Sequence, residues 1–344
     1  MCTRVVWSDA NGAVIVGRNM DFHKDLLTDL WVQPRGINRE DGVNGKLKWT
    51  STFGSLVATA YDMITVDGIN EAGLAGHILW LTESDYGIPD STRVQLSQAV
   101  WLQYFLDNFS SVQDAVDWIS HSDVQVVQMI DPSGGCPPTI HLALDDSNGD
   151  SCIVEYSLGK AIIYHSPDYK VMTNSPTYDH QLQLVSTITG LGGEHPLLGS
   201  TLARDRFARA SYYVSRLAKP ESQVQAIAAM FSVMRNVAQP FRIPDPGKPE
   251  ASQTLWQAVI DLTNKCYIFE STVRPNIIWV NLNSLNFSKN ASQAKLNLVN
   301  QLMVENGISG DVSNKFCPGN ELKFLTMEMV EKMCIAEHAG GPQL

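Results

Sequence analysis

Cys2 follows the initiator methionine of this 344-residue chain. Removal of Met1 would leave one residue carrying both a thiol and a free α-amino group. The amine has an ordinary pKa of about 7.7–8.0 and the thiol about 8.5, so the amine can act as base near neutrality. Nucleophile and base would then be one residue, as in the N-terminal-amine variants of triad chemistry. The plainer alternative is a packing cysteine that happens to stand second, because free Cys is commonly buried. Position alone does not decide between them.

The residues that follow supply possible partners. Thr3–Trp7 and Ala13–Gly17 are β-branched runs separated by Asn11-Gly12, a strong hairpin signal. If Asn11 and Gly12 are the two central residues of a type I′ turn, paired numbers sum to 23. That register sets Cys2 opposite Asp21, with Cβ atoms roughly 4.5–5.5 Å apart. A carboxylate there could hold the N-terminal ammonium or orient the free amine. The same register puts Arg18 opposite Val5 on the other face, so Arg18 reaches the thiol only through a bulge or a different turn. An exposed strand-end carboxylate is the plainer reading of Asp21.

Two later stretches could complete such a site. Val171–Ser175 runs as a strand into Pro176, and the Asn174 amide could donate to a developing oxyanion at its end. The alternative for Asn174 is an Asx-turn residue. In Arg204-Asp205-Arg206-Phe207-Ala208-Arg209, a helical pattern puts Arg206 and Arg209 on one face and Arg204 away from it. Solvated surface charge is the simpler explanation there.

Other chemistries lack their residues. No GxxxxGK[ST] loop, HExxH, GxSxG elbow or papain-type cysteine signature occurs. The eight histidines show no metal-ligand spacing. The other cysteines (Cys136, Cys152, Cys266, Cys317, Cys334) form no CxxC pair, so neither a zinc site nor a disulfide framework is indicated. No metal or cofactor is expected.

Composition narrows the partners. The formal net charge is −11, which disfavours a nucleic-acid backbone or an anionic membrane surface. Hydrophobic residues make up 44% of the chain and charged ones 18%, which excludes a disordered segment or a coiled coil. No apolar run approaches the roughly 18 residues of a membrane span. A signal peptide's basic and apolar regions are also missing from the N-terminus. A small-molecule enzyme or binder is expected.

Elements able to position these residues can be read along the chain. After the hairpin, strands are expected at 56–60, 63–66, 74–81, 139–144, 152–156, 161–164, 170–173, 267–271 and 277–282. Helices are expected at 94–108, 112–119, 202–217, 224–234 and 324–336, with Ser110 or Ser111 capping the second. The proline-rich stretch Pro240–Lys248 reads as a loop. No linker, repeat or composition shift divides residues 1–344, so one domain is expected. Strands apolar at consecutive positions, with helices grouped in pairs, predict two stacked sheets backed by helices: an α+β sandwich.

The motifs together resemble those of the choloylglycine hydrolase family, which includes penicillin V acylases and conjugated bile salt hydrolases. The matching residues are Met1-Cys2-Thr3-Arg4, Gly17–Phe22, Asp67–Leu74, Thr173–Pro176 and Asp205–Arg209, in the family's order. The resemblance implies an N-terminal nucleophile hydrolase with a four-layer αββα fold, hydrolysing a linear amide through a thioester. It implies Cys2 as nucleophile, Arg18 and Asp21 as the pair that tunes the thiol and holds the amine, Asn174 as the oxyanion-hole amide and Arg206 as the last catalytic arginine. Trp80 takes the oxyanion-adjacent position that is Asn in bile salt hydrolases and Tyr in some penicillin acylases. With Met20 and Phe22 it is expected to border the acyl pocket. An indole cannot replace an amide as both donor and acceptor, which counts against a bile salt substrate.

The interval between Asn174 and Arg206 is shorter than in Gram-positive members and resembles the Gram-negative branch. That branch implies penicillin V acylase-like activity and action on N-acyl homoserine lactones, with conjugated bile salt hydrolysis as the alternative. A bacterial protein, periplasmic or cytoplasmic, is implied, along with a homo-oligomer, a tetramer by resemblance. Two rivals are a non-catalytic binding module of the same fold and an enzyme using Cys136 with His141.

Overall fold

Asn11 and Gly12 take positive φ angles of 58° and 86° and turn β1 (Cys2–Ala10) back onto β2 (Ala13–Phe22). Ala10 faces Ala13, as the expected turn requires. Between Trp7 and Ala10 the register shifts: β1 advances three residues while β2 advances two. The extra residue is a β-bulge at Ser8-Asp9, where the strand leaves the buried layer. From Trp7 back to the N-terminus paired numbers therefore sum to 22, and Cys2 lies opposite Met20 rather than Asp21. The expected pairing of Cys2 with Asp21 is thus corrected by one bulge. A one-residue slip exchanges faces, so Arg18 shares the Cys2 face and the Asp21 side chain takes the other.

The computed structural model describes residues 2–130, 137–187, 198–243, 252–273, 276–299 and 308–338, the side chains of 334–338 excepted. Among these, a seven-stranded sheet runs in the order Val171–Met172, β1, β2, Gln253–Asp261, Cys266–Ser271, Ile277–Asn281, Gly310–Asp311. A nine-stranded sheet runs Lys160–His165, Ser151–Ser157, Ile140–Asp145, Ala75–Trp80, Ile64–Asn70, Ser55–Ala60, Leu30–Gln33, Ala294–Leu296, Cys317–Pro318. Within these two sheets pairing is antiparallel except where Ile277–Asn281 meets Gly310–Asp311.

Helices Ala203–Val214 and Gln223–Asn236 cover the outer face of the first sheet. Helices Gln98–Asn108 and Val112–His121 cover the second, and β1 meets Ala75–Trp80 across the gap. This is the four-layer αββα sandwich that the sequence implied. Ser97 and Ser111 cap the latter two helices, each accepting a main-chain N–H. Gly17 lets helix Gln223–Asn236 approach β2, because a Cβ there would lie 2.6 Å from the Met234 side chain.

Most expected elements appear within a few residues of their limits, but residues 95–97 are a short strand rather than helix. Several elements were not expected, among them strands Leu30–Gln33 and Ala294–Leu296, helix Tyr178–Ser186 and, last, strand Gln253–Asp261. Strand Gln253–Asp261 is the neighbour of β2 and matters most for the site. Cys136, residues 188–197 of the interval before Arg206, and residues 244–248 of the proline-rich loop lie outside the described residues.

Candidate active site

β1 brings Cys2 to the edge of the sandwich with only 4% of its surface exposed. Its main-chain nitrogen donates to Asn174 Oδ1 at 2.6 Å. Its thiol lies 3.6 Å from Arg18 Nη2, which donates to it, and 3.7 Å from the Met20 sulfur. Arg18 is fully buried, with its guanidinium carbon 5.9 Å from the Trp256 ring centroid. The bulge therefore delivers Arg18 to the thiol, the route left open in the sequence.

The opposite face of the ribbon carries Asp21. Its Oδ1 accepts from Thr254 Oγ1 at 2.6 Å and its Oδ2 from Gln239 Nε2 at 2.8 Å. Arg206 Nη1 stands 3.7 Å from the same Oδ2. That guanidinium, rising from helix Ala203–Val214, also donates to the Cys2 carbonyl and to Thr3 Oγ1, both at 2.5 Å. Its Nη2 donates to Asn174 Oδ1 at 2.7 Å. Arg206 is completely buried, and Arg209 nearly so, whereas the Arg204 side chain is 57% exposed. The surface-charge alternative holds for Arg204 alone.

Burial lowers the Arg206 pKa below its ordinary value, while Asp21 and the Cys2 thiol pull it back up. Around the thiol, two guanidiniums (Arg18, Arg206) stand against one carboxylate (Asp21). That leaves one excess positive charge, which a thiolate or a developing oxyanion would neutralise.

Asn174 joins the two sheets. Its Oδ1 takes two donors, and its Nδ2 donates to the Trp80 carbonyl at 2.7 Å. An amide nitrogen carries two hydrogens, so one N–H remains beyond the Trp80 bond. Cys2, Met20, Phe22 and Trp80 line one pocket of about 760 Å³, counting its open mouth. Its walls are otherwise mainly apolar, with Val66, Ile78, Met129 and Ile140 among them. The structure thus brings together all eight sequence-proposed residues: Cys2, Arg18, Met20, Asp21, Phe22, Trp80, Asn174 and Arg206. Among the described residues no cluster of His, Cys, Asp and Glu could hold a metal ion.

The sequence profile of linear amide C–N hydrolases, choloylglycine hydrolase family, matches residues 2–297. The chain belongs to the choloylglycine hydrolase family. It is 39% identical over 347 residues to a penicillin V acylase of Pectobacterium atrosepticum, covering 94% of this chain and 92% of the relative. The solved penicillin V acylase of Agrobacterium tumefaciens superposes with a TM-score of 0.87 at 42% identity, over 94% of this chain and 100% of that one. A variant of the conjugated bile acid hydrolase of Clostridium perfringens, at 20% identity, shares the fold with a TM-score of 0.75, over 90% of this chain and 100% of that one. As a family member this chain is an amidohydrolase that cleaves a linear C–N bond.

Sequence reasoning missed Thr254 and Gln239, which hold Asp21, because the strand and loop that carry them were not read as part of the site. It did single out His141, as a partner for Cys136. Both His141 ring nitrogens are instead engaged, with Glu155 Oε1 and the Thr173 carbonyl, each at 3.0 Å. Among the described residues no helix is long and apolar enough to cross a membrane.

Proposed function

We propose that the enzyme loses Met1 and uses Cys2 as an N-terminal nucleophile on penicillin V-like N-acyl amides. The placement of the Cys2 thiol between Arg18 and the apolar pocket, with its nitrogen on Asn174, carries this reading. The thiol sulfur attacks the acyl carbon, and its proton passes to the Cys2 amine. The carbonyl electrons move to oxygen, where the second Asn174 N–H is available as a donor. The C–N bond then breaks, the amine returns its proton to the leaving nitrogen, and a thioester remains. Water attacks the thioester, the amine takes the water's proton, and the carboxylic acid leaves as the thiol is restored.

The pocket favours flat aryl or flexible alkyl acyl groups. A rigid steroid bearing hydroxyls would bury polar groups against Val66, Ile78 and Ile140, with few partners there to compensate. The penicillin V acylase relatives support the aryl acyl donor; the same apolar walls would take the alkyl chain of an N-acyl homoserine lactone. Rates on phenoxymethylpenicillin, a long-chain N-acyl homoserine lactone and glycodeoxycholate rank the three acyl donors, and the bile salt is expected to be slowest.

Intact mass should show Met1 absent. Cys2→Ala should abolish turnover while the fold persists, and Cys2→Ser should cripple it because an alcohol is a far weaker nucleophile near neutral pH. Appreciable hydrolysis by a homogeneous protein with one extra N-terminal residue would overturn the proposal.

A further inference from the structure

We infer that the buried His141–Glu155 pair is a positioning device for the Asn174 amide, and through it for the reacting carbonyl oxygen. The inference rests on the reading of Asn174 as oxyanion donor. His141 and Glu155 sit on adjacent strands, Ile140–Asp145 and Ser151–Ser157. The strand register, Leu142 opposite Val154, continues to place them side by side. Each is only 2% exposed.

Hydrogen-bond direction fixes what the pair does. The Thr173 carbonyl can only accept, so the His141 Nε2 facing it at 3.0 Å carries a proton. Nδ1 meets Glu155 Oε1 at 3.0 Å. The same carboxylate accepts the main-chain N–H of Tyr178, at 3.1 Å and 3.2 Å to its two oxygens. One carboxylate thus holds both ends of the segment from Thr173 to Tyr178, through His141 at one end and directly at the other. Gln181 closes the middle, its Nε2 donating to the Asn174 and Ser175 carbonyls at 3.1 Å and 3.2 Å. Only Asn174 in this segment sends its side chain to Cys2 and Arg206.

An apolar pair would pack the same volume without the desolvation cost of a buried carboxylate and imidazole. What an apolar pair cannot do is fix a carbonyl and an N–H at the two ends of one turn. Catalytic amides need that order of precision, since a displacement of about 1 Å can cost roughly 100-fold in rate.

The test measures kcat, KM, melting temperature and the rate of Cys2 alkylation by iodoacetamide. The variants are Glu155→Ala, Glu155→Gln, Asn174→Ala and the Glu155→Ala/Asn174→Ala double. The substrate is the fastest-cleaved of the three acyl donors named above. Glu155→Ala should lower kcat roughly 10- to 100-fold with KM and alkylation nearly unchanged, because alkylation needs no oxyanion donor. Glu155→Gln should recover most of kcat. Its amide can donate to Nδ1 and accept from Tyr178, which leaves the Nε2–H on Thr173. In the Asn174→Ala background Glu155→Ala should cost little more, since the two act as a unit.

A Glu155→Ala enzyme with wild-type kcat and only a lower melting temperature would overturn the inference. An Asn174→Ala enzyme with wild-type kcat would instead overturn the oxyanion reading itself, and this inference with it. Should Glu155→Ala not fold, His141→Phe removes the Thr173 contact while filling the space. Unchanged kcat in that variant refutes the inference equally.

Discussion

Arg206 donates to the side-chain oxygen of Asn174 at 2.7 Å, and that oxygen also receives the Cys2 nitrogen at 2.6 Å. Two donors converge on Oδ1 while Nδ2 faces the Trp80 carbonyl. A flipped amide would set its NH2 group against two donors and its oxygen against a carbonyl. Only one orientation satisfies every partner. Arg206 therefore determines which end of Asn174 faces the thiol's backbone and which faces the second sheet.

Arg206→Lys should lower kcat by about 100-fold. A lysine ammonium is a single point and cannot span the Cys2 carbonyl, Thr3 Oγ1 and Asn174 Oδ1 as a guanidinium fork does. Arg206→Ala should also destabilise the fold by about 3–5 kcal/mol, because it strips a buried cation from Asp21. Steady-state hydrolysis and urea unfolding measure the two effects. A lysine variant with wild-type kcat would show that the fork is dispensable.

The legible and illegible parts of this site differ for physical reasons. Cys2, Arg18, Asp21, Asn174 and Arg206 were visible because their types, order and spacing form motifs. Their geometry was not, because one bulge at Ser8-Asp9 reverses which of Arg18 and Asp21 faces the thiol. A turn dipeptide signals where a hairpin closes but carries no signal of a slip two or three residues away. Strand Gln253–Asp261 went unread because Gln257 interrupts its apolar run. Gln257 is buried only because its amide donates to Asn19 at 2.8 Å, a long-range bond that no local pattern announces. The His141–Glu155 pair is invisible for the same reason.

The motif Asp67–Leu74 serves the scaffold rather than the reaction. Asn70 Oδ1 gathers the main-chain N–H groups of Ala72, Gly73 and Leu74, while its Nδ2 donates to the Leu106 and Phe109 carbonyls. A Cβ on Gly68 would lie 2.7 Å from the Leu56 carbonyl oxygen, and backbone there cannot give way cheaply. Gly68→Ala should therefore cost about 1–3 kcal/mol of stability while the folded enzyme keeps its kcat. A urea midpoint equal to wild type would refute the close-approach explanation.

Stability should fall as the pH drops below about 6.5, with His77 as one cause. Buried between Asp67 and Asp145, at 2.6 Å and 3.7 Å, its imidazole has a pKa lowered from the ordinary 6.5. Burial is the main cause; Asp67 opposes it, and the Arg18 and Arg4 guanidiniums reinforce it. Below about pH 6.5 the unfolded chain binds a proton that the native imidazole still refuses, so acid favours unfolding. One such group contributes a slope of at most about 1.4 kcal/mol per pH unit. Unfolding free energies at neutral and mildly acidic pH should differ more in wild type than in His77→Gln. Equal differences would remove His77 from the explanation.

Trp80 contributes to the site in two separable ways. Its main-chain carbonyl receives the Asn174 amide, and its half-buried indole borders the pocket beside Met20 and Phe22. Trp80→Ala deletes the ring and leaves the carbonyl in place, so kcat should survive. The lost aromatic face should raise KM for phenoxymethylpenicillin about tenfold, equivalent to about 1.4 kcal/mol of stacking and buried area. For glycodeoxycholate the change should be smaller, because a steroid has no flat ring to stack on the indole. Thermal stability should fall only modestly, since Trp80 ends its strand opposite Ile140 rather than filling the interior. A Trp80→Ala enzyme that melts far lower yet keeps the wild-type KM would show that the indole packs the sandwich and selects no substrate.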